Sequence, residues 1–416
     1  GAEADLTAYP ELTLAETPDG ARVQFVVSAG TARRTIALDK SDPAGMLREL
    51  PGFYTWLEDS WDSRRLITRD AFYYMVVQGM IGFLEDQFTY FISPDEAKEM
   101  RIDTSQKLGG LGMQVSKVED GLEVIAPIED SPAFAAGVLE GDVITMVGDE
   151  ATKDMTLHAA VGKLRGEPGT QVSFTIRRKG TPEPIRMTLT RAIVEIKYLK
   201  SRMLENGIGY IRLTSFMGEQ VGADFEKALS DLESSGMKAL VIDLRGNPGG
   251  LMTVALEIVD LFVEDGLTFE VRARVDELAE KHYARKEGTH GPYPIAVLIN
   301  KGSASASEIV AGILKEKGLA SVVGARSYGK GSVQRILPLG RGEDPPSVAL
   351  TIALYYLLGK TKVHEVGIEP DYPVEVAPEV EAKLARQSIY SKEDPAAEDA
   401  RLRKAIEVLE EKLRSR

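Results

Sequence analysis

Lys301-Gly302-Ser303-Ala304-Ser305-Ala306-Ser307-Glu308, followed downstream by Ser327-Tyr328-Gly329-Lys330-Gly331 and Gln334, sets hydroxyls, an amine and an amide in order among glycines. A serine that attacks a carbonyl needs a base within hydrogen-bond reach and donors for the oxyanion it creates. The four histidines, His158, His282, His290 and His364, lie in no motif with a nearby Ser and Gly, so a histidine base is not signalled. Lysine serves where burial and neighbours lower its pKa from about 10.4. Gly329 and Gly331 let the backbone close around the Lys330 amine. Residues 305–314 read as a helix with Ile309, Val310, Ile313 and Leu314 on its apolar side. Ser305 is expected in its first turn, where unpaired N–H groups favour a developing negative charge. Taken singly, these residues read as a helix cap, a solvated cation and turn glycines. Together they point to a serine hydrolase with a lysine base.

Upstream, Ala239-Leu240-Val241-Ile242-Asp243-Leu244 is a continuous apolar run ending in Arg245-Gly246-Asn247-Pro248-Gly249-Gly250. It suits a strand buried on both faces, with a Gly-rich turn leading into a helix over 252–263. Ile208–Leu213 and Ile295–Asn300 are further candidate strands. Between about Leu108 and Arg191 lies a second ordered series. Gly109-Gly110-Leu111-Gly112-Met113-Gln114-Val115 and Gly121–Ile125 read as strands, and Ser131-Pro132-Ala133 starts a short helix. Ala136–Ile144 reads as a turn and strand, Thr156–Arg165 as an amphipathic helix, and Gln171–Ile176 and Pro184–Leu189 as closing strands.

Ser305, Lys330 and Gln334, within NKGSASASEIVAG and SYGKGSVQ, resemble the catalytic core of the C-terminal processing peptidases, also called tail-specific proteases. The resemblance implies Ser305 as nucleophile, Lys330 as general base and Gln334 as its orienter, with Ser303 and Ser307 as packing or capping hydroxyls. Glu308 resembles an acidic position that supports the site; a first-turn acid favoured by the helix dipole is the equal alternative. The Asp-Leu-Arg-Gly-Asn-Pro-Gly-Gly segment resembles the family motif whose glycine amide joins the amide after the nucleophile in the oxyanion hole. That implies Ala306 with Gly249 or Gly250. The series from Leu108 resembles the family's PDZ module, with Ala136-Gly137 and Gly141-Asp142 in its signature. In such a module an extended peptide adds to a sheet edge and its carboxylate is held by loop amides. The implied site is the amides of Leu111, Gly112 and Met113, with Leu111, Met113, Val161 and Leu164 forming an apolar pocket. Arg165 sits where the family often has an arginine, which makes it a candidate regulatory residue coupling the PDZ module to the protease; a solvated helix-end cation is the alternative.

The resemblance covers about residues 65–375. It implies an α/β (α+β) protease core of crotonase-like, tail-specific type, an inserted PDZ domain and helical N- and C-terminal regions. The expected organisation is 1–45 an N-terminal extension with a β-hairpin, 46–105 helical, 106–191 PDZ, 192–378 protease core and 379–416 helical. Two departures stand out: Glu85-Asp86-Gln87-Phe88-Thr89 replaces the usual Leu-Asp-Pro-His-Thr/Ser, and Tyr355–Thr361 lacks a Pro-Ser-Gly-Arg run before Val366-Gly367-Ile368-Glu369-Pro370-Asp371.

Composition agrees with a multidomain globular protein: 416 residues, 43% hydrophobic and 27% charged. No 18-residue apolar run occurs, so no transmembrane helix is expected. A net charge of -14 argues against nonspecific nucleic-acid binding. With no cysteine, a thiol nucleophile and disulfides are excluded. The scattered histidines lack zinc spacing, and neither metal nor cofactor is expected. Gly1-Ala2-Glu3-Ala4 shows no basic segment followed by an apolar core, so no leader is expected within these residues. The resemblance favours export to the periplasm or cell envelope.

Expected partners are protein or peptide substrates with apolar C-terminal tails, a regulatory protein and a second copy of the chain. The homo-oligomer, in its simplest form a dimer, would use Leu402, Ala405, Ile406, Leu409 and Leu413, which form a helical stripe that otherwise docks on the chain's own core. Two other readings share these residues: a catalytically silent PDZ scaffold or chaperone, and an apolar-ligand carrier on the same core fold.

Overall fold

The computed structural model describes residues 11–16, 22–29, 32–39, 52, 55, 69–82, 84–377, 379–381 and 399–415. Contacts divide the chain into two compact units, Gly1–Ser93 with Ser347–Ala349, and Pro94–Pro346 with Leu350–Arg416. In the first unit, Glu11–Glu16, Arg22–Ala29 and Ala32–Asp39 form a three-stranded antiparallel sheet. The expected hairpin is thus extended by a strand, because Glu11–Glu16 finds its partner in Val23–Ser28. The helix Arg69–Gly82 follows, and Tyr90–Ile92 pairs with Ser347–Ala349. Most of the expected helical stretch 46–68 and the segment 382–398 lie outside the described residues. Among the described residues no helix is long and apolar enough to cross a membrane.

The second unit is built on a six-stranded sheet in the order Leu199–Met203, Ile208–Leu213, Ala239–Asp243, Ile295–Ile299, Ala320–Gly324, Tyr372–Pro373. The first pair is antiparallel and the rest are parallel. Helices Val221–Ser234, Met252–Asp260 and Ala306–Glu316 make the crossovers. Every residue of the three strands 239–243, 295–299 and 320–324 is buried, which explains why all but Asp243 and Ser321 are apolar or glycine. Alternation sorts them. Leu240, Ile242, Val297 and Val322 join Phe225, Ile258, Ile309 and Ile313 in the core on one face. Ala239, Val241, Ala296, Leu298 and Val323 meet Leu402, Ala405 and Leu409 of the C-terminal helix Ala400–Arg414 on the other. The stripe considered for a second subunit is therefore used on the chain's own core. A second sheet, Glu280–Tyr283, Leu267–Ala273, Ser347–Leu357 and Ser332–Pro338 in that order, adds Phe269 and Tyr355 to the first core.

The sheet of the region expected to be a PDZ module runs Ile185–Thr190, Gln171–Arg177, Val143–Val147, Gly121–Pro127, Met113–Val118, around its own core of Leu122, Val124, Ile144, Phe174 and Ile176. Its two chain ends are tied together as an antiparallel neck, Lys107–Gly110 against Ala192–Glu195. Ser131 and Thr156 cap the two helices of this region, Pro132–Ala135 and Leu157–Leu164.

Candidate active site

Three loops leave the C-terminal ends of adjacent parallel strands: 244–251, 300–305 and 325–331. Ligand sites of open α/β sheets sit at such edges. The first loop is built on a buried ion network. Asp243 accepts from Arg245 Nε at 2.9 Å, Arg245 Nη2 at 2.6 Å and the Tyr210 hydroxyl at 2.7 Å. Arg245 also donates to Asp399 at 2.9 Å, and Asp399 caps the C-terminal helix through the N–H groups of Arg401 and Leu402. Burial alone would raise the Asp243 pKa, but the charge and hydrogen bonds of Arg245, with Arg212 and Tyr210, hold it at about 2.

That depression has a sign. The ionised Asp243 contributes stability that is fully present above its ordinary value of 3.8 and is lost as pH falls through about 2. The shift is worth roughly 2 kcal/mol. Asp243→Asn leaves Arg245 buried with half its partners, so unfolding at pH 7 is expected to lose about 3–5 kcal/mol. Denaturant titrations of variant and wild type at pH 7 and pH 3 check this, and the gap should narrow at the lower pH.

Asn247, fully buried, donates to Leu213 O at 2.9 Å and accepts the Gly249 N–H at 2.9 Å. Gly250 bridges Phe216 in parallel, its neighbours making the bonds from Phe216 N to Gly249 O and from Leu251 N to Phe216 O, each 2.9 Å. The Gly250 N–H therefore points away from Phe216. Gly249 has φ +102°, and a Cβ there would lie 2.8 Å from the Ala304 carbonyl, 2.8 Å from Ser305 Cβ and 3.0 Å from the Ala306 nitrogen. The Gly-rich turn thus lies against Ser305 and Ala306 because it has no side chain.

The three serines of the second loop separate cleanly. Ser303, fully buried, donates to Leu244 O at 2.8 Å and accepts from Asn300 N at 3.0 Å. Ser307, fully buried, donates to Asn247 O at 2.9 Å. Ser305 alone is half-exposed. It caps the helix Ala306–Glu316 from outside, with φ 55° and ψ −113°, a backbone conformation seldom held by an L-residue without a constraint. The sequence expectation places it one position further on, inside the helix.

Glu308 supplies the constraint. Its carboxylate, fully buried, accepts the N–H of Ser305 at 2.8 Å, of Gly329 at 2.6 Å and of Lys330 at 2.8 Å, and the Ser327 hydroxyl at 2.5 Å. It joins the serine loop to the lysine loop, a larger task than favouring a helix dipole. Ser327 is in turn held by the Gly-Ile-x-Pro-Asp segment, accepting Ile368 N at 2.6 Å. Lys330 and Gln334 are both half-buried. The Gln334 amide nitrogen donates to Ser332 Oγ at 2.9 Å and Thr351 Oγ1 at 3.1 Å.

In the expected PDZ module, Met113–Val118 is an edge strand. Leu111 and Leu164 are 3% and 5% exposed and belong to the domain core, with Met113 packed against them and Val161 half-buried. Leu111 and Leu164 are thus spent on the domain core, and of the four expected pocket residues only Met113 and Val161 keep accessible surface. The Leu111 carbonyl accepts from Ala133 N at 2.8 Å and the Gly112 carbonyl from Ile128 N at 2.9 Å, fixing the loop. Arg165, at the end of its helix, pairs with Glu99 of the helix Pro94–Ser105. It is a partly exposed ion-pair partner. Among the described residues no group of His, Cys, Asp or Glu is placed to hold a metal.

Sequence reasoning misses Asn247, Asn300, Ser327 and Tyr355. Asn300 Oδ1 accepts Gly246 N at 2.8 Å and Gly302 N at 3.0 Å, stapling the first two loops. A polar residue directly after a buried apolar strand is the available signal for Asn300.

Residues 207–374 match the model of peptidase family S41, and residues 109–189 match that of the PDZ domain. The carboxy-terminal-processing protease of Bartonella bacilliformis is 39% identical over 303 residues, 72% of this chain and 68% of that protein. The carboxy-terminal processing protease CtpB of Bacillus subtilis is 34% identical over 298 residues, 71% of this chain and 61% of that protein. A solved structure from Bacteroides fragilis, described as an S41 protease, superposes with a TM-score of 0.51 at 16% identity, covering 79% of this chain and 87% of that one. The last likeness concerns the fold alone.

Proposed function

Because the chain belongs to peptidase family S41, among carboxy-terminal processing proteases that carry a PDZ domain, we propose that it is a serine endopeptidase whose nucleophile is Ser305 and whose general base is Lys330. The observation that carries this is the Glu308 carboxylate bound at once to the N–H groups of Ser305 and Lys330. Neutral Lys330 takes the Ser305 proton as Oγ attacks the scissile carbonyl. The oxyanion is received by the N–H of Ala306 and of Gly250; the Gly249 N–H is already given to Asn247. The lysine ammonium then protonates the leaving amine, and water, deprotonated by the same lysine, releases the acyl-enzyme. Gln334, its amide nitrogen engaged by Ser332 and Thr351, has its carbonyl oxygen left to accept from Lys330.

Substrate recruitment follows from the PDZ edge strand. An extended tail adds beside Met113–Val118, its carboxylate at the amides of Leu111, Gly112 and Met113, and its apolar last residue near Met113 and Val161. Substrates are therefore proteins with apolar C-terminal tails, and the family resemblance favours a periplasmic or envelope setting. The test is cleavage of an unfolded reporter bearing either an apolar or a charged tail. Preference for the apolar tail supports the reading, and equal cleavage of both sinks the PDZ role. The Arg165–Glu99 pair is partly exposed, with side chains 30% and 39% accessible, so Arg165→Ala is expected to change stability by less than about 1 kcal/mol. If Arg165 couples the module to the protease, tail preference falls in this variant while cleavage of a short tail-less peptide is kept.

A further inference from the structure

Tyr355, on the strand Ser347–Leu357, is 2% exposed and packs its ring on Phe269 with centroids 5.1 Å apart. Its N–H donates to Gly331 O at 2.9 Å. Its hydroxyl lies 2.9 Å from Lys330 O and 3.3 Å from Ser305 O. Lys330 and Ser305 are the same two residues whose N–H groups go to Glu308. The Ser305 carbonyl also accepts the helix N–H groups of Glu308 at 2.8 Å and Ile309 at 3.0 Å, so it is fixed by the helix start, and the phenol ties the Lys330 backbone to that fixed point. Two carbonyls accept, and the phenol has one proton, so it is shared, with the shorter bond to Lys330 dominant.

We propose that Tyr355 is a positioning residue for the Ser305–Lys330 pair, its hydroxyl fixing the separation of the two backbones that carry them. The inference rests on the reading of Ser305 as nucleophile and Lys330 as base. The phenol is suited to the task because burial pushes its pKa well above the ordinary range, with the nearby Glu308 adding to the rise, so it remains a donor. The strand that carries it belongs to a sheet packed in the main core, which makes the anchor stiff. A displacement on the order of 1 Å between nucleophile and base costs roughly 10²-fold in rate.

Tyr355→Phe keeps the ring and removes only the hydroxyl. The expected result is a fall in kcat of about 10–100-fold with KM and PDZ-peptide affinity unchanged, and an acid limb of the kcat/KM profile displaced from that of wild type. A kcat within twofold of wild type would overturn the proposal, as would a rise in KM at constant kcat. Phe269→Leu, which loosens the ring's packing and keeps the hydroxyl, separates packing from hydrogen bonding. It should lower the unfolding temperature and retain kcat; a kcat loss matching that of Tyr355→Phe would assign the effect to packing and overturn the proposal. Should Tyr355→Phe fail to fold, Phe269→Leu is read on its own: a lowered unfolding temperature with kcat within twofold of wild type keeps the proposal, and a kcat fall of about 10-fold or more overturns it. Ser305→Ala run alongside distinguishes the two levels: cleavage surviving there sinks the reading of the pair, whereas its loss together with a fully active Tyr355→Phe sinks only the positioning role.

Discussion

Cleavage of an unfolded reporter is expected to fall by at least about 10³-fold in Ser305→Ala and to a similar extent in Lys330→Ala, with the double variant no worse than either. The equality follows from the two acting as one unit: without a base the hydroxyl is a poor nucleophile, and without the hydroxyl the base has nothing to activate. Neither side chain contributes to the buried core, so unfolding temperatures should stay near wild type. Ser303→Ala and Ser307→Ala provide the contrast. Their hydroxyls donate to Leu244 O and Asn247 O inside the fold, carbonyls that keep the N–H of Asn247 and of Ala304, so Ser307→Ala costs about 0.5–1.5 kcal/mol of stability and Ser303→Ala, which also strips the Asn300 N–H of its acceptor, about 1–3 kcal/mol. Cleavage measured per folded molecule should survive both. Progress curves with all four variants, normalised to folded fraction by circular dichroism, check the set.

The second large effect concerns the glycine turn. Gly249→Ala places a methyl 2.8 Å from Ser305 Cβ and 3.0 Å from the Ala306 nitrogen, crowding the face where the oxyanion would form. A fall in kcat of about 10²–10³-fold is expected, on the scale of losing one oxyanion donor. Its φ of +102° also strains an L-residue by about 1–3 kcal/mol, so some stability goes with it. Gly250→Ala behaves differently. The added Cβ would meet the Phe216 carbonyl carbon at 2.3 Å and the Met217 nitrogen at 2.5 Å, and backbone cannot rotate aside as a side chain can. Its unfolding temperature should drop more than that of Gly249→Ala. Steady-state kinetics beside thermal unfolding separate the two: Gly249→Ala loses activity out of proportion to stability, and Gly250→Ala loses both.

Much of this arrangement is legible in the amino-acid sequence because its parts are local. The run Ala239–Asp243 is apolar at nearly every position since both faces are covered, by helices on one side and by Leu402, Ala405 and Leu409 on the other. Gly249 and Gly250 are glycines because Ser305 and Phe216 approach their backbones. The helix after Ser305 shows its buried positions by spacing. What stays hidden is long-range. The Tyr355 hydroxyl reaches two carbonyls on other loops, and nothing in Leu354-Tyr355-Tyr356-Leu357 marks one tyrosine as buried and bonded and the other as half-exposed. The sharing of one carboxylate by Ser305 and Lys330 is equally invisible, since Glu308 at the third helical position is a common capping pattern. The burial of Leu111 and Leu164 escapes for the opposite reason. Their spacing says apolar, and only packing tells a core residue from an accessible one. The stripe on Ala400–Arg414 fits an internal or an external partner equally well, and the sheet face it covers decides.

The most direct test of the Ser305–Lys330 assignment is covalent labelling of the intact chain with a fluorophosphonate, followed by peptide mapping. A single adduct on Ser305 is expected, at a rate that rises with pH and collapses in Lys330→Ala. An adduct on Ser303 or Ser307, or labelling of Ser305 that is unchanged in Lys330→Ala, would contradict it.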